Sequence, residues 1–153
     1  MNDYDYMRLA LAEAEKALAS GDVPIGAVAV YQGEVIGSGY NRREADHDPT
    51  AHAEMLAIRQ AAHALGTWRL DGVTLYCTLE PCTMCAGAMV LGRLPRLVYA
   101  AVEPKTGAAG SIMDVLRHPK LNHQVDVSGG LLADEATAQL QAFFATLREG
   151  DLR

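Results

Sequence analysis

From residue 5 to residue 20 the apolar positions Met7, Ala10, Leu11, Ala14, Ala17 and Leu18 recur at intervals of three and four, which predicts a helix with one buried face. Gly21 supplies its stop. The rhythm then changes: Gly26–Tyr31 and Glu34–Tyr40 are short runs rich in Val and Ile, and Gln32-Gly33 between them predicts a hairpin with a tight turn. Residues 41–49 are polar and charged and read as a loop. Thr50 is placed to cap a helix running to Leu65, with Leu56, Ile58, Ala61 and Leu65 as its apolar residues.

Residues 73–78 alternate as a strand does, and Pro81 suits the first position of a helix reaching Leu91. A second apolar strand is predicted over 96–102, followed by a small-residue loop at 105–111, a short segment at 113–116 and an edge strand at 125–127. The last helix, 134–149, carries Leu140, Phe143, Phe144 and Leu147 on one face. Strands alternating with helices predict a layered α/β domain, and with no internal repeat or linker the 153 residues read as one domain, 1–153.

Composition adds a globular character, half the residues being hydrophobic and 21% charged, so a disordered chain is excluded. The formal net charge of -6 argues against a basic footprint over the whole surface. Basic residues gather locally, however: Arg93, Arg96, Lys105, Arg117 and Lys120 fall within 93–120, where they suit a positive rim for phosphates. No 18-residue apolar run or charged-plus-apolar leader is present, so no membrane is expected, and three cysteines, an odd number, point to a cytoplasmic protein with reduced thiols.

The candidate chemistry lies in His52-Ala53-Glu54 and, after an intervening strand, Pro81-Cys82-Thr83-Met84-Cys85, each at a predicted helix start. Two cysteines three apart on a helix share a face and can hold one ion, with His52 as the third ligand. Zinc accepts thiolate and imidazole, and three protein ligands leave its fourth position open for water, as catalytic sites require. Bound zinc lowers the pKa of water from ~15.7 to about 7. Glu54 follows His52 by two residues, about 200° around an ideal helix, so spacing alone does not bring the two side chains together. Cys-x-x-Cys by itself would also suit a redox pair or half of a structural zinc knuckle, and Cys77 lies too deep in a predicted strand to complete a structural set.

The combined pattern resembles the cytidine deaminase superfamily. Asp48-Pro49-Thr50-Ala51-His52-Ala53-Glu54, Thr78-Leu79-Glu80-Pro81-Cys82, Met84-Cys85-Ala86-Gly87-Ala88-Met89 and Lys105-Thr106-Gly107-Ala108-Ala109-Gly110-Ser111 are similar to the TadA-type tRNA adenosine deaminases in particular, over nearly the whole chain. This resemblance implies a three-layer α/β/α sandwich with a mixed central sheet, of the cytidine deaminase type. It also implies one Zn²⁺ per subunit on His52, Cys82 and Cys85, with Glu54 as proton shuttle. The activity implied is hydrolytic deamination of the wobble adenosine of a tRNA anticodon to inosine, by a homodimer that binds the anticodon stem-loop. Asn41 and the backbone of Ala53 are then expected to hydrogen-bond the flipped base, and Val23, Pro24 and Ile25 to line its pocket. One departure is Glu103, where many members carry Asp. The alternatives are a zinc deaminase of a free base or nucleoside, guanine or cytidine, and, in another class, an RNA-binding module with a structural zinc.

Overall fold

The computed structural model describes residues 1–151, so the end of the 1–153 span expected as one domain, residues 152 and 153, lies outside the described residues. Helix α1 is Asp3–Lys16, strands β1 and β2 are Gly26–Tyr31 and Glu34–Tyr40, and α2 is the one-turn helix Arg43–Asp46. Helix α3 (Ala53–Leu65), β3 (Val73–Leu79), α4 (Thr83–Leu91), β4 (Arg96–Ala101), β5 (Asp126–Gly129) and α5 (Ala133–Asp151) follow. The sheet order is β2-β1-β3-β4-β5. Strand β1 runs antiparallel to both β2 and β3, whereas β3, β4 and β5 are parallel. This is the mixed sheet that the resemblance implies.

Alternation along each strand divides the core into two layers. Val28, Val30, Tyr76, Val98 and Ala100 meet Tyr6, Met7 and Ala10 of α1 and Ala136 of α5. On the other face Ala27, Ala29, Leu75, Cys77 and Leu97 meet Ala53, Ala57 and Ala61 of α3 and Cys85, Ala86 and Met89 of α4. The result is a three-layer α/β/α sandwich. Two glycines let α3 lie unusually close to β2: a Cβ on Gly39 would sit 2.5 Å from Ala53 O, and one on Gly37 would collide with Ala57 O.

Several boundaries differ from the sequence expectation for identifiable reasons. Helix α1 starts at Asp3 because Asn2 and Asp5 cap one another reciprocally, Asp5 N–H to Asn2 Oδ1 at 3.0 Å and Asn2 N–H to Asp5 Oδ2 at 2.8 Å. It tightens to a 3₁₀ turn at Ala17–Ser20 before Gly21 ends it with φ 76°. The expected turn of the hairpin is present, with φ 50° at Gln32 and 80° at Gly33. Residues 41–49 are not all loop, since they contain α2.

Thr50 does not cap α3. Its N–H and hydroxyl both bond Asp48 Oδ1, at 2.8 and 2.7 Å, and His52 takes the N-cap position instead. Pro81 likewise precedes the N-cap of α4, which is Cys82. Part of the apolar face of α5 stays open: Phe144 is 41% and Leu147 51% exposed. Among the described residues no helix is long and apolar enough to cross a membrane.

Candidate active site

Both N-caps, His52 and Cys82, carry a side chain able to bind metal where Ser, Thr or Asp would ordinarily sit, and neither makes a side-chain capping bond. His52 and Cys82 are extended in backbone, and the first turn of α4 places Cys85 beside Cys82. His52 Nδ1 lies 3.6 Å from Cys82 Sγ and 3.5 Å from Cys85 Sγ. The three ligand atoms all fall within 4.8 Å of one another. A zinc bonded to nitrogen at ~2.0 Å and to sulfur at ~2.3 Å with tetrahedral angles separates those two atoms by about 3.5 Å, so this set fits the metal. Cys77 is fully buried in β3 and stands outside the group.

Electrostatics point the same way. Hydrogen bonds from Cys85 and then from His52 pull the Cys82 thiol down to about 3, against the opposing effect of burial. The Cys82 sulfur in turn raises the pKa of His52. The helix N-termini that meet here favour thiolate at Cys82, whereas the Cys85 thiol, which donates to Cys82 and is buried, is pushed well up.

Glu54, the second residue of α3, is buried, and burial raises its pKa. Its Oε1 has no hydrogen-bond partner. A buried carboxylate oxygen left unpaired is costly, and its place beside the ligand group suits an atom that takes its partner from bound reactants. The 200° separation of an ideal helix does not apply between His52 and Glu54, because His52 has ψ 149° and lies outside the helix proper.

These groups open on a cavity of about 240 Å³ bordered by Val23, Ile25, Asn41, Ala53, Glu103 and Phe144, with His52, Glu54 and Cys82 at its floor. Pro24, between Val23 and Ile25 in sequence, is buried and does not line it. Asn41 is 4% exposed; its Nδ2 donates to Val23 O (3.2 Å) and its Oδ1 accepts from Arg43 N–H (3.1 Å). Leu140 and Phe144, read from sequence as one apolar helix face, border the cavity from α5.

Sequence reasoning missed Glu80. This buried carboxylate accepts from the N–H groups of Glu103 (3.0 Å), Ala109 (3.0 Å) and Ser111 (3.1 Å) and from the Ser111 hydroxyl, so it organises the small-residue loop that forms one wall. Burial opposes its ionisation, but those four donors outweigh it and hold its carboxyl below the ordinary range. Its only sequence signal is a Glu directly before Pro81-Cys82. The basic stretch 93–120 is less free than its composition suggests, since Arg96 pairs with Asp3 at 2.7 Å and Arg117 with Asp114 at 2.7 Å. His123 is held by Leu94 O at 2.7 Å.

A mixed sheet of this order, with two helix starts bringing His, Cys and Cys together beside a buried glutamate, is an arrangement that suits a deaminase and could hold a metal ion. The family model for MafB19-like deaminases matches residues 1–148. The chain is 51% identical over 144 residues to a tRNA-specific adenosine deaminase of Bacillus subtilis strain 168, covering 94% of this chain and 89% of that one. It is 47% identical over 148 residues to a tRNA-specific adenosine deaminase of Haemophilus influenzae, covering 96% and 86%. A structure solved in work on A-to-I editing by tRNA:A34 deaminases superposes with TM-score 0.85 at 47% identity, over 89% of this chain and 99% of the other. A guanine deaminase from Nitrosomonas europaea superposes with TM-score 0.81 at 27% identity, over 94% and 85%. The chain belongs to the family of tRNA-specific adenosine deaminases.

Proposed function

We propose that this protein deaminates the wobble adenosine of a tRNA anticodon to inosine by hydrolysis, with zinc held on His52, Cys82 and Cys85. The observation that carries the chemistry is the orphaned Glu54 Oε1 beside a His/Cys/Cys group of tetrahedral spacing. Bound zinc supplies a Lewis acid that makes a water nucleophilic at neutral pH. Glu54 takes a proton from that water and passes it to the purine ring nitrogen as oxygen adds at C6. A second proton, from the added hydroxyl, then leaves with the amino group through Glu54, so water and adenosine give inosine and ammonia.

Asn41 retains one Nδ2 hydrogen and one Oδ1 lone pair beyond its two protein contacts, and these are assigned to the flipped base. Ala53 opens α3, where N–H groups have no partner within the helix, and its backbone is assigned to the same base. Val23 and Ile25 provide an apolar wall. Pro24 has no contact role in this assignment; its fixed φ stiffens the segment between them. The anticodon stem-loop supplies a base already partly unstacked, which lowers the cost of flipping.

The protein is further proposed to act in the cytoplasm as a homodimer built on one deaminase domain. On α4, Met84, Gly87, Ala88 and Leu91 form an apolar stripe at helical spacing that the fold covers only in part, with Leu91 72% exposed. A second copy of the chain is the occupant assigned to it.

The test compares kcat/KM for an anticodon stem-loop bearing adenosine at the wobble position with that for free adenosine, cytidine and guanine. Inosine in the stem-loop with the largest kcat/KM is expected. Faster turnover of guanine would instead place the chain with the structurally similar guanine deaminase.

A further inference from the structure

Helix α2 poses a physical problem. It is a single turn whose residues are not buried, and an isolated turn of this length is far too short to hold itself in water. Its N-cap, Arg42, makes no side-chain capping bond. Yet Asn41 and Arg43, at its start, both border the substrate cavity.

Arg42 pairs with Asp46 across the turn and its N–H donates to Ala51 O, and a further restraint comes from 22 positions earlier in the chain. Asp22 is 1% exposed and belongs to neither the metal group nor the cavity lining. Its Oδ1 accepts from Glu44 N–H at 2.7 Å, and its Oδ2 accepts from Ala45 N–H at 3.2 Å and from Ser20 Oγ at 2.6 Å. A carboxylate from another segment thus caps the two helix N–H groups that local sequence leaves open. Beside it, Asn41 N–H donates to Ile25 O at 3.0 Å and Asn41 Nδ2 to Val23 O at 3.2 Å. One wall of the cavity is therefore a laced pair of segments, Val23 and Ile25 on one, Asn41 and Arg43 on the other.

We infer that Asp22 is a positioning residue for substrate: its buried carboxylate fastens α2 to the segment before β1 and so holds Asn41 and Arg43 at the cavity. It touches neither the reacting atoms nor the ligand residues, which α3 and α4 carry. Its removal should therefore weaken substrate binding and leave the chemical step and the metal in place. The inference rests on the proposed stem-loop activity.

The experiment uses zinc-loaded full-length protein, wild type, Asp22→Ala and Asp22→Asn. In Asp22→Ala, amide hydrogen exchange at Glu44 and Ala45 should accelerate and KM for the stem-loop should rise about tenfold or more, with kcat and zinc content within about twofold of wild type. Asp22→Asn keeps an acceptor for Glu44 N–H and should fall between the two. An unchanged KM in Asp22→Ala overturns the inference, as does a parallel fall in kcat, zinc content and binding in both variants, which marks a general loss of fold. Should the wild-type protein leave the stem-loop unmodified, the activity reading fails by itself. Exchange at Glu44 and Ala45 still decides the clamp, which unchanged protection in Asp22→Ala would refute.

Discussion

Cys82 Sγ and His52 Nδ1 stand 3.6 Å apart although 30 positions separate them in the chain, and each residue occupies the N-cap of its own helix. The ligand group is thus assembled by two helix starts lying on one face of the sheet, on opposite flanks of β3 in sequence.

Cys82→Ser and Cys85→Ser should each lose bound zinc, because a neutral hydroxyl replaces a thiolate in a set of only three ligands. Elemental analysis after dialysis measures this directly. Unchanged zinc in both variants would remove the two cysteines from the ligand set.

Glu54→Ala and Glu54→Gln should retain zinc and the wild-type circular dichroism spectrum while single-turnover rates on the stem-loop fall by ~10²- to 10⁴-fold, the usual worth of a positioned acid–base group. Glu54 Oε1 gives up no hydrogen bond within the protein when it is removed. Rates near wild type would exclude it from proton transfer.

Glu80→Gln should destabilise the fold by about 1–3 kcal/mol at pH 7, since an amide nitrogen would face N–H donors that now meet carboxylate oxygen. The folded-state pKa of Glu80 is depressed. Its contribution is therefore complete above the ordinary carboxyl value of ~4.3 and is lost as pH falls through the lower folded value. Urea denaturation at pH 7 and at pH 3 should show the gap between wild type and variant closing in acid. A gap that widened in acid would contradict the ionised state of Glu80.

Leu91→Asp should convert the proposed dimer to monomer by placing charge on the exposed end of the α4 stripe. Light scattering at micromolar concentration reads the mass. A wild-type protein that is already monomeric and edits the stem-loop would show the pairing to be unnecessary.

The sheet and its helices were legible because local patterning survives in a sequence: the apolar positions of α1 recur at intervals of three and four, and Val- and Ile-rich runs flank the Gln32-Gly33 turn. The His/Cys/Cys group was legible for a different reason, since cysteines are few in this sequence and Cys82 and Cys85 stand three apart at a predicted helix start. Long-range satisfaction of backbone groups leaves no such mark. Asp22 and Glu80 act on N–H groups more than twenty positions away, and nothing in their immediate neighbours announces it. The same limit misled the helix starts, because Thr50 and Pro81 carry strong local signals while the true N-caps, His52 and Cys82, are unsuitable by propensity and are chosen by the site. Phe144 was read only as part of an apolar helix face, which looks alike whether it meets other side chains or a cavity.

Gly39 carries a consequence beyond packing. With Ala53 O only 2.5 Å from where its Cβ would be, β2 acts as a gauge block that sets the height of the opening turn of α3 above the sheet, and with it the height of His52 and Glu54 relative to the sulfurs of α4. One added methyl group there would be transmitted as a misaligned metal site by a residue that touches none of its ligands. Gly39→Ala should accordingly reveal itself as faster zinc loss to a chelator before any change in secondary structure. Retention of zinc at the wild-type rate would show that the helix rides over the methyl without tilting. On that expectation the tolerance of the His/Cys/Cys group to change is set in part by the side of the sheet farthest from β5, where a hydrogen atom stands in place of a carbon.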